Sequence, residues 1–169
     1  MHSIIAISPG ENIADESDWI NRLFEAGIDR YHIAKDHATE QSIAEILQHV
    51  HPKYLSKITL HSHFHLVLAY GVGGIHYAEL HRQSLKDDFP SKVKLYQSFG
   101  IKVSTSVDND KVDWASADYI ITSQSAMNGQ EGTFLLAQIG DGINTTIRTA
   151  FHLSSEEQYE ELLNILKQI

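Results

Sequence analysis

Three observations predict an α/β fold whose parallel sheet curls toward a (β/α) barrel, TIM-barrel-like but incomplete or with helices lost in its C-terminal half. Short apolar runs punctuated by Gly and Pro recur up to eight times along the chain. Stretches with apolar residues at helical spacing separate most of them, and that alternation is the signature of parallel strands joined by helices. The third observation is the length. At 169 residues the chain falls short of the ~200 that a complete eight-stranded barrel usually needs, so either helices are missing or the sheet stays open.

Each element follows from its residues. Ile4-Ile5-Ala6-Ile7, stopped by Ser8-Pro9-Gly10, reads as a fully buried first strand. Trp19, Ile20, Leu23 and Phe24 repeat at helical spacing behind Asp15, Glu16 and Asp18, whose charges suit a helix N-terminus, and Gly27 supplies the stop. Residues 28–34 read as strand two. Thr39 caps a helix with Ile43, Ile46, Leu47 and Val50 on one stripe, ended by His51-Pro52. Residues 57–60 form strand three, Leu66–Tyr70 a one- or two-turn helix closed by Gly71, and residues 73–77 strand four. Beyond Pro90 a helix is expected over residues 93–99, a strand over 101–107, at most a short helix over 112–117, and strands over Tyr119–Ser123, 134–139 and 146–151. Only about ten residues separate the sixth and seventh strands, at the short end of what a parallel crossover requires, so a helix is missing there. Ser154 and Glu157 form a capping box ahead of Tyr159, Leu162, Leu163 and Leu166 of a terminal helix.

Composition narrows the class of function. Residues 1–169 form one domain, with 42% apolar and 21% charged residues, as in an ordinary globular chain. No run approaches the ~20 apolar residues that cross a bilayer, and the N-terminus lacks a signal-peptide pattern, so a cytoplasmic protein without a membrane partner is expected. The absence of Cys excludes disulfides, thiolate metal sites and cysteine nucleophiles. A formal charge of -9 argues against nucleic acid as a partner. Eleven histidines are the compositional oddity.

Five of those histidines fall between residues 61 and 81. His61 and His63, two apart, can project together from the end of strand three while His76 ends strand four. In a parallel α/β barrel that end carries the chemistry. A cleft lined by His32, Lys35, His61, His63, His76 and Glu79 is therefore expected there. His-x-His at a strand end is a ligand spacing suited to zinc, nickel or copper, with His61, His63 and His81 as the candidate set. Ordinary hydrogen-bonded or solvent-facing histidines are the alternative, since no Asp or Glu lies among His61, His63 and His65. His32 and His76 read equally as satisfied pocket residues. Gly140-Asp141-Gly142 is either a phosphate cradle or a plain turn.

The order Gly27-Ile28-Asp29-Arg30-Tyr31-His32-Ile33, then Lys57-Ile58-Thr59-Leu60-His61-Ser62-His63, then Gly74-Ile75-His76-Tyr77 resembles the thiamine phosphate synthase and thiazole tautomerase family. The resemblance implies a (β/α) barrel in which a thiazole phosphate nitrogen displaces pyrophosphate from an aminopyrimidine, with Mg²⁺ on the leaving group. It implies a small phosphorylated thiazole or pyrimidine as partner, with a homodimer left open. On that alignment Lys35, His61 and His76 are catalytic candidates, and His32, Glu79, Gly140 and Gly142 bind substrate. Departures are as informative. Ala34, Ser62 and His81 stand where the family has an Arg, an Asp and a further acidic residue, and Ser123-Gln124-Ser125 lacks the tautomerase histidine. Full synthase activity is therefore not expected, and the readings left beside a thiamine-synthase-like protein are a non-catalytic barrel and a histidine metal protein holding Zn²⁺.

Overall fold

A computed structural model describes residues 3–106, 117–123, 135–137 and 148–168. Eight strands are hydrogen-bonded in sequence order into a closed ring: β1 (Ser3–Ile7), β2 (Arg30–Ile33), β3 (Ile58–Leu60), β4 (Gly74–Tyr77), β5 (Lys102–Ser106), β6 (Tyr119–Ser123), β7 (Leu135–Ala137) and β8 (Arg148–His152), which returns to β1. The ring closes through five register pairs, from Ser3 opposite Arg148 to Ile7 opposite His152.

Seven strands run parallel, and β7 is antiparallel to both β6 and β8. That reversal corrects the expectation of a seventh parallel strand. A parallel crossover needs roughly a dozen residues or more, whereas a reversed strand can return through a short connection. The shortage of chain between β6 and β7 is thus resolved by turning the strand round. This is also how so short a sequence completes a barrel.

Helices cover the first five strands: α1 (Glu16–Ala26), α2 (Glu40–His49), α3 (Leu66–Tyr70), α4 (Glu79–Leu85) and α5 (Phe89–Ser98), with 3₁₀ turns at Pro52–Lys57 and Lys86–Asp88. Among the described residues no helix intervenes between β5 and β8, and α6 (Glu156–Leu166) follows the last strand. The short helix expected over residues 112–117 lies almost wholly outside the described residues. The α4 helix was not expected, having no apolar stripe beyond Leu80 and Leu85, of which Leu80 is exposed.

Capping explains several boundaries. Gly27, at φ 112, sends its N–H to the carbonyls of Leu23 and Phe24 and ends α1. Thr39 accepts the Ser42 N–H at 3.1 Å and starts α2. At α6 the expected Ser154–Glu157 box does not form. Instead the Gln158 side chain reaches back, its Oε1 accepting from Ser154 N at 2.7 Å and from Ser154 Oγ at 2.9 Å.

Strand alternation sorts the core into two. Outward residues Ile4, Ala6, Tyr31, Ile33, Ile58, Leu60 and Ile75 join the helix stripes of Trp19, Ile20, Leu23, Ile43, Leu47 and Leu162 in one continuous cluster. Each Ile or Leu among them, fully buried, contributes roughly 1.5–3 kcal/mol. A second, smaller cluster of Ile5, Ile7, Tyr119, Ile121 and Ala150 lies inside the ring. No helix among the described residues is long and apolar enough to cross a membrane.

Candidate functional site

The inward positions of β2 to β5 carry polar groups in place of aliphatic ones. Below, Arg30 donates to Thr59 Oγ1 at 2.9 Å. It fits because Gly74 has no side chain: a Cβ there would lie 2.7 Å from the guanidinium and 2.6 Å from Thr59 Oγ1. Above this layer, at the C-terminal ends of the parallel strands, sit His32, His61 and His76. His32 and His76 are buried and His61 is half-buried.

The three rings are tightly coupled. His32 Nδ1 and His61 Nε2 share a hydrogen bond of 2.9 Å, and His32 Nε2 pairs at 2.7 Å with the hydroxyl of Tyr119, which reaches across the barrel from β6. His76 has a serine hydroxyl at 2.8 Å on each nitrogen, Ser104 and Ser106. The His61 and His76 rings stack with centroids 4.1 Å apart. One ring nitrogen of each histidine lies within 4.8 Å of the others.

Burial sets the protonation state. Desolvation, followed by the charges of neighbouring histidines, holds His32 and His61 well below the ordinary histidine range. His76 is pushed down to about 3 by burial and by His152 of β8. Neutral imidazoles at neutral pH carry one donor and one acceptor nitrogen each, so the cluster can relay or exchange a proton, hydrogen-bond a heterocycle, or offer lone pairs to a metal.

Other expected residues are placed elsewhere. Lys35 is fully buried and does not join this cluster. Its ammonium donates to the carbonyls of Pro9 and Glu11 and lies 3.1 Å from Glu16 Oε2. That contact pairs the charges without hydrogen-bond geometry, which leaves Glu16 Oε2 without a hydrogen-bond partner. Glu16 Oε1 accepts from Tyr31 at 2.9 Å, and the Tyr31 hydroxyl meets that of Tyr159. Lys35 thus locks the β1–α1 loop and the helix layer together, and it has no charge to spare for a phosphate. Lys35 is therefore placed apart from His61 and His76, with which it was expected to share a cleft.

The His-x-His expectation fails for a backbone reason. The chain turns at His63, where φ is 53, so His63 and His61 part company. His63 Nε2 pairs with the Ala38 carbonyl at 2.8 Å, and His63 joins Glu40 and His65 in a second group at the rim. His81, on α4, is exposed and lies against Phe64 and Tyr77. The set His61, His63 and His81 therefore does not converge. Glu79 is engaged by Arg82 at 3.5 Å and by Gln83, on α4. Gly140 and Gly142 lie outside the described residues. The flanking residues Ala137 and Arg148 pair with each other at the start of β8, the end of the barrel opposite the histidines.

Ser104, Ser106, Tyr119 and Arg30 were missed. The first two had a signal, since Ser104 and Ser106 recur at period two within Lys102–Ser106. Tyr119 had none, because nothing local says that a strand's first aromatic crosses the barrel. A groove of about 660 Å³ also opens between α1 and α2, lined by residues such as Asn12, Ser42, Glu45 and His49. It lies in the outer helix layer, away from the imidazoles.

Magnesium takes oxygen ligands in near-octahedral geometry. The groups that converge here are three imidazoles, or two imidazoles with the Glu40 carboxylate. Among the described residues neither donor set fits the Mg²⁺ that the family resemblance implies.

The fold is a (β/α) barrel similar to that of a thiamine phosphate synthase, with one strand reversed. A solved structure of thiamine phosphate pyrophosphorylase from Bacteroides thetaiotaomicron shares this fold at a TM-score of 0.57 and 22% identity, covering 72% of this chain and 58% of that one. This chain thus spans less than two thirds of that protein. A solved structure of a putative NADP oxidoreductase from Bacteroides fragilis, 10% identical and covering 99% of this chain and 66% of its own, reaches a TM-score of only 0.34. No protein-family profile matches the sequence. No curated protein matches it either.

Proposed function

We propose that this chain is a thiamine phosphate synthase-like barrel that binds a phosphorylated thiazole or pyrimidine through its heterocyclic ring and does not sustain the Mg²⁺-dependent synthase reaction. The observation that carries the reading is the neutral, largely buried His32–His61–His76 cluster at the barrel end where such folds place their ligands. Neutral imidazoles complement the ring nitrogens of a flat heterocycle better than they complement pyrophosphate. Lys35 is committed to Glu16, and the magnesium donors are missing from the converging groups. Removing one preorganised electrostatic stabiliser costs ~10²–10³ in rate, so losing several leaves little synthase chemistry.

The test has two arms. Calorimetric titration with the thiazole alcohol and with its phosphate should give affinities within about tenfold of each other, a difference of about 1.4 kcal/mol, because the ring carries the binding. Thiamine phosphate formation at saturating Mg²⁺ should fall at least ~10² below an ordinary synthase. Ordinary turnover, or binding that depends wholly on the phosphate, contradicts the reading.

A further inference from the structure

The same cluster has a second chemical capacity that does not depend on any heterocycle. It brings three nitrogen donors from three neighbouring strands to one point at the barrel mouth, each ring nitrogen within 4.8 Å of the others. We propose that His32, His61 and His76 form a site for one divalent transition-metal ion of the zinc, cobalt and nickel class.

Spacing supports it first. Two imidazole nitrogens bound at about 2.0–2.1 Å to a tetrahedral ion lie about 3.3 Å apart. His32 Nδ1 and His61 Nε2 stand 2.9 Å apart, so a few tenths of an ångström of widening replaces their mutual hydrogen bond with shared ligation. Metal-bound histidines are also usually backed through the other ring nitrogen, which fixes tautomer and orientation. Here His32 Nε2 meets Tyr119 at 2.7 Å, and His76 keeps a serine on one nitrogen whichever of its two nitrogens ligates.

Donor chemistry selects the ion. Three imidazoles without a carboxylate suit zinc, nickel or cobalt and disfavour magnesium or calcium. Three protein ligands leave an open position, which is the arrangement of a site that holds water or a ligand on the metal. Two features oppose binding and set its strength. The His61–His76 stack at 4.1 Å must open by rotation of the rings. Arg30 faces the cluster from the layer below, and its charge is felt at His32. Affinity therefore falls below that of a carboxylate-backed zinc centre.

The rim group of Glu40, His63 and His65 is a built-in control, because it also converges within 4.8 Å yet lies largely in solvent. Cobalt(II) is titrated into the chelator-treated full chain with no other ligand present, read by d–d absorption and by equilibrium dialysis. The expected result is one ion per chain in a four- or five-coordinate nitrogen environment, not displaced by millimolar Mg²⁺. His32→Gln and His76→Asn should each weaken binding at least ~10-fold, about 1.4 kcal/mol, while His63→Ala/His65→Ala leaves it unchanged. Should either cluster variant fail to fold, imidazole NMR of the unsubstituted chain with zinc replaces it, and perturbation of His32, His61 and His76 supports the site. No bound cobalt at millimolar concentration, or binding abolished by the His63→Ala/His65→Ala variant, overturns it. Because no heterocycle is present, this outcome is independent of the thiazole titrations.

Discussion

Inside one closed barrel, two arcs fill equivalent inward positions with opposite chemistry. β1, β6 and β8 offer Ile5, Ile7, Ile121 and Ala150, the branched or small apolar residues that ordinarily fill a barrel interior. β2 to β5 offer Arg30, His32, Thr59, His76 and Ser104, all buried. Polar groups in such a position cost ~1–3 kcal/mol each when left unpaired. Here they are paired largely with one another, through Arg30 to Thr59, His32 to His61 and Tyr119, and His76 to Ser104 and Ser106. The difference teaches that one arc holds the ring together while the other is a self-satisfied network whose members can exchange partners for a ligand.

The largest effect lies outside both arcs. Lys35→Met strands Glu16 in the helix layer, and removing one member of a buried ion pair costs about 3–5 kcal/mol. Urea denaturation should show that loss with ligand affinity unchanged after correction for the unfolded fraction. A stable Lys35→Met protein that has lost binding would return Lys35 to the site.

Ile5→Ala comes next. It opens a cavity in the apolar arc and should cost about 2–5 kcal/mol by the same measurement. A cost below about 1 kcal/mol would mean that this arc is not packed as described. Acid should act on the polar arc instead. The folded-state pKa values of His32, His61 and His76 are depressed below the ordinary 6.5, His76 to about 3. Between those limits the unfolded chain binds more protons than the folded one. Stability is therefore fully present above about pH 6.5 and falls as pH drops, by up to ~1.4 kcal/mol per pH unit for each histidine that stays neutral only in the folded chain, His76 doing so down to about pH 3. Denaturation midpoints from pH 8 to 4 check this, and His76→Asn should flatten the slope.

The smallest effect belongs to the rim. His65 and Glu40 pair at 3.1 Å with both side chains mostly exposed, so His65→Ala should change stability by less than ~1 kcal/mol.

The sequence was most readable where structure is local. Gly27, Thr39 and Gly71 marked helix ends because caps act within one turn of chain, and the strands of the first half stood out as apolar runs between them. The position of His32, His61 and His76, each near the end of a strand, was legible for the same reason. What escaped depends on distant partners. Lys35 looked available because nothing near it in sequence shows that Glu16 and the loop carbonyls of Pro9 and Glu11 enclose it. Tyr31 and Tyr159 meet across 128 positions of chain. A left-handed turn at His63 redirected a side chain that strand periodicity had aimed inward, and brought it to Glu40 at the start of α2. The reversal of β7 was written only indirectly, as too few residues for a crossover.

Three neutral imidazoles, two buried and that of His61 half-buried, form one coupled cluster at the barrel mouth. Long-range ¹H–¹⁵N NMR of the histidine rings in the metal-free chain tests it most directly. His32, His61 and His76 should keep the nitrogen shifts of neutral tautomers from pH 7.5 down to pH 5, with exchange-protected ring protons on His32. Protonation of any of the three above about pH 6 would place that ring in solvent and contradict the account.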